Sequence, residues 1–159
     1  MQDLTIDLDE GRLNCRAAAI IEHEGKVLLH KCSSESYYAL VGGRVQICES
    51  SDNTVVREIK EELGKDIELT GYVATIENFF EAKGKNYHEI MFVHKAEFIE
   101  EADKKIITDM KNIEGGQDSN VHYEWIEKAK LEEFDIRPCA IIDIIKKGEF
   151  PVHIINREK

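Results

Sequence analysis

The stretch from Gly42 to Gly64, GGRVQICESSDNTVVREIKEELG, limits what this chain can fold into more than any other. It begins in paired glycines, passes an isolated Glu49 and ends in a segment with helical spacing. At ~100° per residue, Val55, Val56, Ile59 and Leu63 share an arc of about 100°, wide enough for one face to pack on a core. Glu58, Glu61 and Glu62 share a neighbouring arc, so three carboxylates are presented to one place. Like charges at i,i+3 and i,i+4 cost a helix roughly a few tenths of a kcal/mol per pair. A divalent cation would remove that repulsion and use the oxygens as ligands. Hard cations suit them best, Mg²⁺ or Mn²⁺ before Zn²⁺. The plain alternative is a solvated acidic face, since glutamate is a good helix former. Ser50, Ser51 or Asp52 can cap such a helix, and Gly64 suits its stop.

The whole arrangement separates these readings. From Gly43 to Gly64 it runs Gly-x5-Glu-x7-Arg-Glu-Ile-Lys-Glu-Glu-Leu-Gly. It resembles the signature box of the Nudix hydrolases and matches every fixed residue up to Gly64, with apolar Ile59 in its place. Two positions depart from the pattern: Lys65 stands where it has an apolar residue, and Val41 where many members have proline before the glycines. Neither change removes a metal-binding oxygen. The resemblance implies an α+β fold, an α/β/α sandwich with a mixed β-sheet flanked by helices and the box as strand, loop and helix at its middle. It also implies that Glu58, Glu61 and Glu62 hold Mg²⁺ or Mn²⁺, with a carbonyl of Gly42 or Gly43 completing the shell. Arg57, by the same resemblance, orients a box carboxylate and pairs with Glu49, although a purely supporting pair is also open. Family members differ in their general base, so Glu58 and the loop acids Glu114 and Asp118 all stand as candidates. The box glutamate Glu58 is slightly preferred, and because a metal-bound base is acidified and accepts a proton less readily, the loop acids stay open.

The rest of the composition narrows the partners. A chain of 159 residues, 42% hydrophobic, fits one domain over 1–159 with a core of ordinary size. No apolar run approaches the ~20 residues of a membrane span. The first ten residues are acidic and lack the basic and apolar blocks of a signal peptide, so a cytoplasmic location is expected. Cys15, Cys32, Cys48 and Cys139 form no Cys-x-x-Cys pair and lie in apolar or strand-like segments, which suggests buried thiols in a reducing compartment. A formal charge of −11 argues against nucleic acid as the main partner. An anionic phosphate substrate stays possible, because bound cations reverse the sign locally.

No repeat, low-complexity tract or linker interrupts the chain. Residues 1–10 alternate Leu4, Ile6 and Leu8 with polar neighbours, as in an edge strand or an added hairpin arm. Cys15–Ile21 and Lys26–Lys31 form a hairpin pattern around Glu22-His23-Glu24-Gly25, and Tyr37–Val41 a short strand running into Gly42-Gly43. Ile67–Glu81 and Tyr87–Phe98 have the pattern of long strands joined by a turn. Residues 109–120 are polar and loop-like, and His122–Ile126 is a further short strand. Lys128–Phe134 suits a helical turn or two. Pro138 opens a helix over Cys139–Lys147 with Ile141, Ile142, Ile144 and Ile145 inward, and Val152–Ile155 closes the chain as a strand.

The function implied is Mg²⁺- or Mn²⁺-dependent attack of water on a pyrophosphate bond, in a nucleoside diphosphate linked to another moiety. Dinucleoside polyphosphates, nucleotide sugars, ADP-ribose and damaged nucleoside triphosphates are all open as substrates. Arg44, Tyr38 and Phe80 are candidate substrate contacts, with Tyr37, Phe79, Tyr87, Lys31 and Lys83 behind them. Two other functions share the fold: a ligand-sensing module, which tends to lose box carboxylates, and an isoprenoid diphosphate isomerase. The latter needs a cysteine and a glutamate across a carbon substrate, and adjacent Cys48 and Glu49 do not supply that. Homodimers are common in the family, and the N-terminal strand offers an interface.

Overall fold

The computed structural model describes residues 1–105, 110–111, 120–148 and 152–158. Its spine is β2 (Gly11–His23), which carries the run Ala17-Ala18-Ala19-Ile20-Ile21. Three alanines at its centre let elements approach closely on both faces. β1 (Thr5–Leu8) folds back on β2 as an antiparallel arm, with Thr5 opposite Asn14. β3 (Lys26–Cys32) continues from the Glu24-Gly25 turn, and β4 (Ala39–Arg44) follows. The helix α1 (Ser51–Leu63) leads to a long hairpin, β5 (Ile67–Ala82) and β6 (Lys85–Phe98). The short β7 (Met110–Lys111), β8 (Asn120–Glu127), a 3-10 turn over Lys128–Glu133, α2 (Ala140–Lys147) and β9 (Val152–Arg157) complete the described order.

The strands make a mixed sheet in the order β7-β8-β3-β4-β2-β6-β5-β9. β2 and β6 run parallel, Arg12 opposite Tyr87 through Ile21 opposite Ala96, and β9 runs parallel to β5. Strand β4 joins the two halves. Its Ala39 and Leu40 pair with β3, and Val41 to Arg44 pair with Ala19 to Arg16 of β2.

Alternation along β2 decides the layers. Ala17, Ala19 and Ile21 share a core with Val55, Ile59 and Leu63 of α1. Ala18 and Ile20 point the other way, into a core with Ile141, Ile144 and Ile145 of α2. The outcome is helix, mixed sheet, helix, the sandwich that the resemblance implies, and the period-two pattern of β2 assigns one helix to each face.

The structure moves several expected details. The paired glycines lie within β4 rather than after it, because Gly43 and Gly42 pair with Ala17 and Ala18. Cys48 and Cys139 are exposed and Cys15 and Cys32 only half-buried, so the thiols are not core residues. Cys48 sits in the loop before α1 with φ 62°, and Cys139 stands at the start of α2. Ile142 is partly rather than fully buried against the α2-side core. Among the described residues, no helix is long and apolar enough to cross a membrane.

Candidate functional site

Helix α1 is turned further into the protein than its apolar residues alone suggest. Val55, Ile59 and Leu63 are buried as expected, but Val56 is 40% exposed and Thr54 is fully buried. On a wheel of ~100° per residue, Glu58 and Glu62 fall between Thr54 and Val55. The acidic arc is therefore partly inside the buried face and not merely beside it. Ser50 stands at the N-cap and accepts the Thr54 N–H at 2.9 Å through its carbonyl. Gly64 ends the helix at φ 67°, and its N–H donates to the Lys60 carbonyl.

The loop ahead of the helix is tied to it through Glu49. Arg57 Nε donates to Glu49 Oε1 at 2.7 Å, and Nη2 donates to Oε2 at 2.9 Å. The Gln46 N–H and the Thr54 hydroxyl also donate to Glu49 Oε2, at 3.1 and 2.8 Å. These donors, Arg57 first, hold the Glu49 carboxyl down to about 2. Arg57 itself is held charged, chiefly by Glu49. Its remaining valences fasten the box: Nη2 to the Arg44 carbonyl at 3.0 Å, and Nη1 to Glu58 and Glu61 at 2.8 and 2.9 Å.

Glu58 lies directly against the backbone of β4. A Cβ placed on Gly43 would overlap the Glu58 carboxylate, and one on Gly42 would strike the Ala17 backbone. The glycine pair thus lets β4 meet β2 on one side and a carboxylate on the other. Burial raises the Glu58 carboxyl above its ordinary value against the pull of Arg57.

Glu62 is the least satisfied group of the site. Its Oε2 is buried without a hydrogen-bond partner among the described residues. Burial, reinforced by the charges of Glu58 and Glu61, pushes its carboxyl up to about 8. His30 of β3 places Nδ1 4.0 Å away, also without a partner. Burial and the Arg16 charge push His30 down to about 4, so it is neutral at neutral pH and forms no ion pair there.

Among the described residues, no three His, Cys, Asp or Glu side chains converge into a ready-made cation cage. Arg57 Nη1 already occupies one oxygen each of Glu58 and Glu61. The site nevertheless suits a cation. Glu62 offers a buried oxygen with no hydrogen-bond partner among the described residues, and Glu58 is pressed into a space that only glycine leaves. Glu61 would have to turn from Arg57 to join them.

A cavity of about 90 Å³ opens on the α2 side of the sheet, lined by Arg16, Tyr37, Asn78, Phe80, Glu89 and Arg137 among others. Arg16 links the two regions. It lines the cavity, and its charge lowers the carboxyls of Glu58 and Glu62 and the Tyr37 hydroxyl against opposing effects. Its Nε is buried without a partner among the described residues.

Of the candidate substrate contacts, Phe80 lines this cavity, whereas Tyr38 and Arg44 have other partners. Tyr38 donates its hydroxyl proton to Glu124 at 2.7 Å and meets Phe134 edge-on. Arg44 lies 3.5 Å from Asp3 of the N-terminal arm. Glu114 and Asp118 lie outside the described residues. Arg16, His30, Thr54 and Glu89 were not singled out by sequence reasoning. Arg16 alone left a signal, as a charge at the head of an otherwise apolar strand run.

A mixed sheet between two helices, with a glycine-cradled glutamate cluster on the helix that follows its central strand, defines a phosphate-chemistry hydrolase scaffold of the Nudix type. Comparison with known proteins agrees. The NUDIX domain model matches residues 12–141, and the chain belongs to that family. A CTP pyrophosphohydrolase from Escherichia coli K12 is 39% identical over 75 residues, 45% of this chain and 54% of that protein. The chain thus matches about half the length of this curated relative. A Nudix hydrolase from Nitrosomonas europaea superposes with a TM-score of 0.64 at 17% identity, covering 97% of this chain and 83% of the other. An ADP-ribose pyrophosphatase from Streptococcus suis gives 0.60 at 16%, covering 89% and 98%. These two likenesses establish the fold.

Proposed function

We propose that this protein hydrolyses a pyrophosphate bond in a nucleotide-type substrate, with Mg²⁺ or Mn²⁺ held by Glu58, Glu61, Glu62 and a carbonyl of Gly42 or Gly43. The observation that carries this reading is the unpaired, buried Oε2 of Glu62 beside a Glu58 seated on Gly43. A bound divalent cation would neutralise phosphate oxygens and make a coordinated water more acidic. Glu58 would serve as the base that accepts a proton from the attacking water. Burial has already raised its proton affinity, so it is assigned the base ahead of Glu114 and Asp118. Arg57 positions rather than reacts, holding Glu58 and Glu61 on one guanidinium nitrogen while Glu49 fixes the guanidinium plane. His30, neutral and buried, helps keep water from the inner side of Glu62.

The related CTP pyrophosphohydrolase and the ADP-ribose pyrophosphatase of like fold support a nucleoside 5′-phosphoanhydride as the substrate class. The test is release of pyrophosphate or phosphate from a nucleotide panel, with and without Mg²⁺, by the native chain and by Glu61→Gln and Glu62→Gln. Metal-dependent turnover lost in both variants supports the site. Turnover that survives both removes it.

A further inference from the structure

One row of the sheet carries four buried polar residues side by side. Asn14 of β2 stands opposite Glu89 of β6, Glu89 opposite Asn78 of β5, and Asn78 opposite Asn156 of β9. All four are buried, Glu89 at 4% exposure. Asn14 Nδ2 donates to Glu89 Oε2 at 2.8 Å, and Asn78 Nδ2 to Glu89 Oε1 at 3.4 Å. Asn156 Nδ2 donates to Asn78 Oδ1 at 2.8 Å, which fixes the orientation of that amide.

A carboxylate has room for about four hydrogen bonds, and each Glu89 oxygen here accepts one from a neutral amide. Glu89 and Asn78 both line the cavity, so the remaining acceptor positions can be met from inside it. Carboxylates are rarely this buried unless paired, and the side chains that donate to Glu89, Asn14 and Asn78, are neutral amides. Phe80, whose ring stacks on Tyr87 with 4.7 Å between centroids and 10° between planes, lines the same cavity. Arg16 puts the cavity within electrostatic reach of Glu58 and Glu62.

We infer that the cavity receives the nucleobase of the substrate, and that Glu89 selects bases bearing an exocyclic amine over their oxo counterparts. The inference rests on the reading of the protein as a nucleotide hydrolase and deepens it. Cytosine and adenine present an N–H₂ donor where uracil and hypoxanthine present a carbonyl oxygen. The amine satisfies a free Glu89 acceptor. A carbonyl there sets acceptor against acceptor in a buried site, the kind of mismatch that gives large discrimination. Phe80 supplies the stacking face, which every base can use, and so adds affinity without choosing.

The test compares amino and oxo partners directly, by calorimetric binding of CMP against UMP and of AMP against IMP to the native protein without divalent cation. At least tenfold tighter binding of the amino member in one pair supports the inference, and equal binding in both pairs overturns it. In Glu89→Gln, shown by its melting curve to be folded, the preference collapses toward unity because the amide can donate to the carbonyl. A preference that Glu89→Gln leaves intact overturns the assignment to Glu89. The native comparison decides even if that variant does not fold. Amino preference together with no hydrolysis of any nucleotide in Mg²⁺ would sink the hydrolase reading alone.

Discussion

Arg57 grips Glu49 through two parallel contacts, Nε to Oε1 at 2.7 Å and Nη2 to Oε2 at 2.9 Å, and so joins the loop before α1 to the helix itself. The fork uses the planar geometry that lysine lacks. Its third nitrogen, Nη1, sets Glu58 and Glu61. Arg57→Lys should therefore lower kcat about 10- to 100-fold, the usual range for groups that orient metal ligands, and raise the Mg²⁺ concentration needed for half-maximal rate. A Mg²⁺ titration of initial rates checks both. Unchanged metal dependence would leave the pair a purely structural tie.

The adjacent glycines should separate function from stability. In Gly43→Ala the new methyl meets the movable Glu58 side chain, so the fold should hold while activity drops at least about tenfold. In Gly42→Ala it meets the Ala17 backbone, which cannot swing away. Overpacking of that kind costs about 1–3 kcal/mol. Urea unfolding and rate assays on the two variants should give opposite rankings.

Glu62 predicts an unusual pH dependence for the metal-free protein. Burial raises its carboxyl from 4.5 to about 8, so across that window the folded chain keeps a proton that the unfolded chain has lost. Stability should fall as pH rises from about 5 to 8, and Glu62→Gln should flatten that slope while abolishing activity. Glu49 acts in the opposite sense. Held down to about 2, it contributes stability that is lost only as pH falls below about 4.5. Melting temperatures of the native and Glu62→Gln proteins in chelator, from pH 5 to 8, check the first effect.

Millimolar Mg²⁺ should raise the melting temperature of the native chain, because a ligand that binds only the folded state stabilises it by mass action. The shift should be larger at pH 8 than at pH 6, where the cation must displace the Glu62 proton. The Glu61→Gln/Glu62→Gln double variant should show neither shift. An equal shift in both proteins would mean that the cation binds elsewhere.

How much of the site could be read in advance follows from how far apart its parts lie in the chain. Glu58, Glu61, Glu62, Arg57 and Glu49 occupy one strand-loop-helix unit, and helical and loop geometry brings them together at short range. The Arg57–Glu49 pair was expected from the resemblance, and the structure shows it. The true depth of the helix was not legible. Val56 is as apolar as Val55, yet α1 rolls so that Thr54 goes in and Val56 stays out, because the sheet beneath it and not the helix pattern sets the roll.

The chain by itself determined most of the elements and the acidic helix, since periodicity and capping are local and survive in a string of letters, and the resemblance carried by the box supplied the sandwich. Only tertiary structure decided what surrounds them. The parallel register of β2 with β6 brings Asn14 beside Glu89, 75 positions away, and β4 bridging the half-sheets brings Gly43 under Glu58. Such meetings depend on strand pairing between distant segments, which hydrophobic alternation permits in more than one register and only the packed core selects.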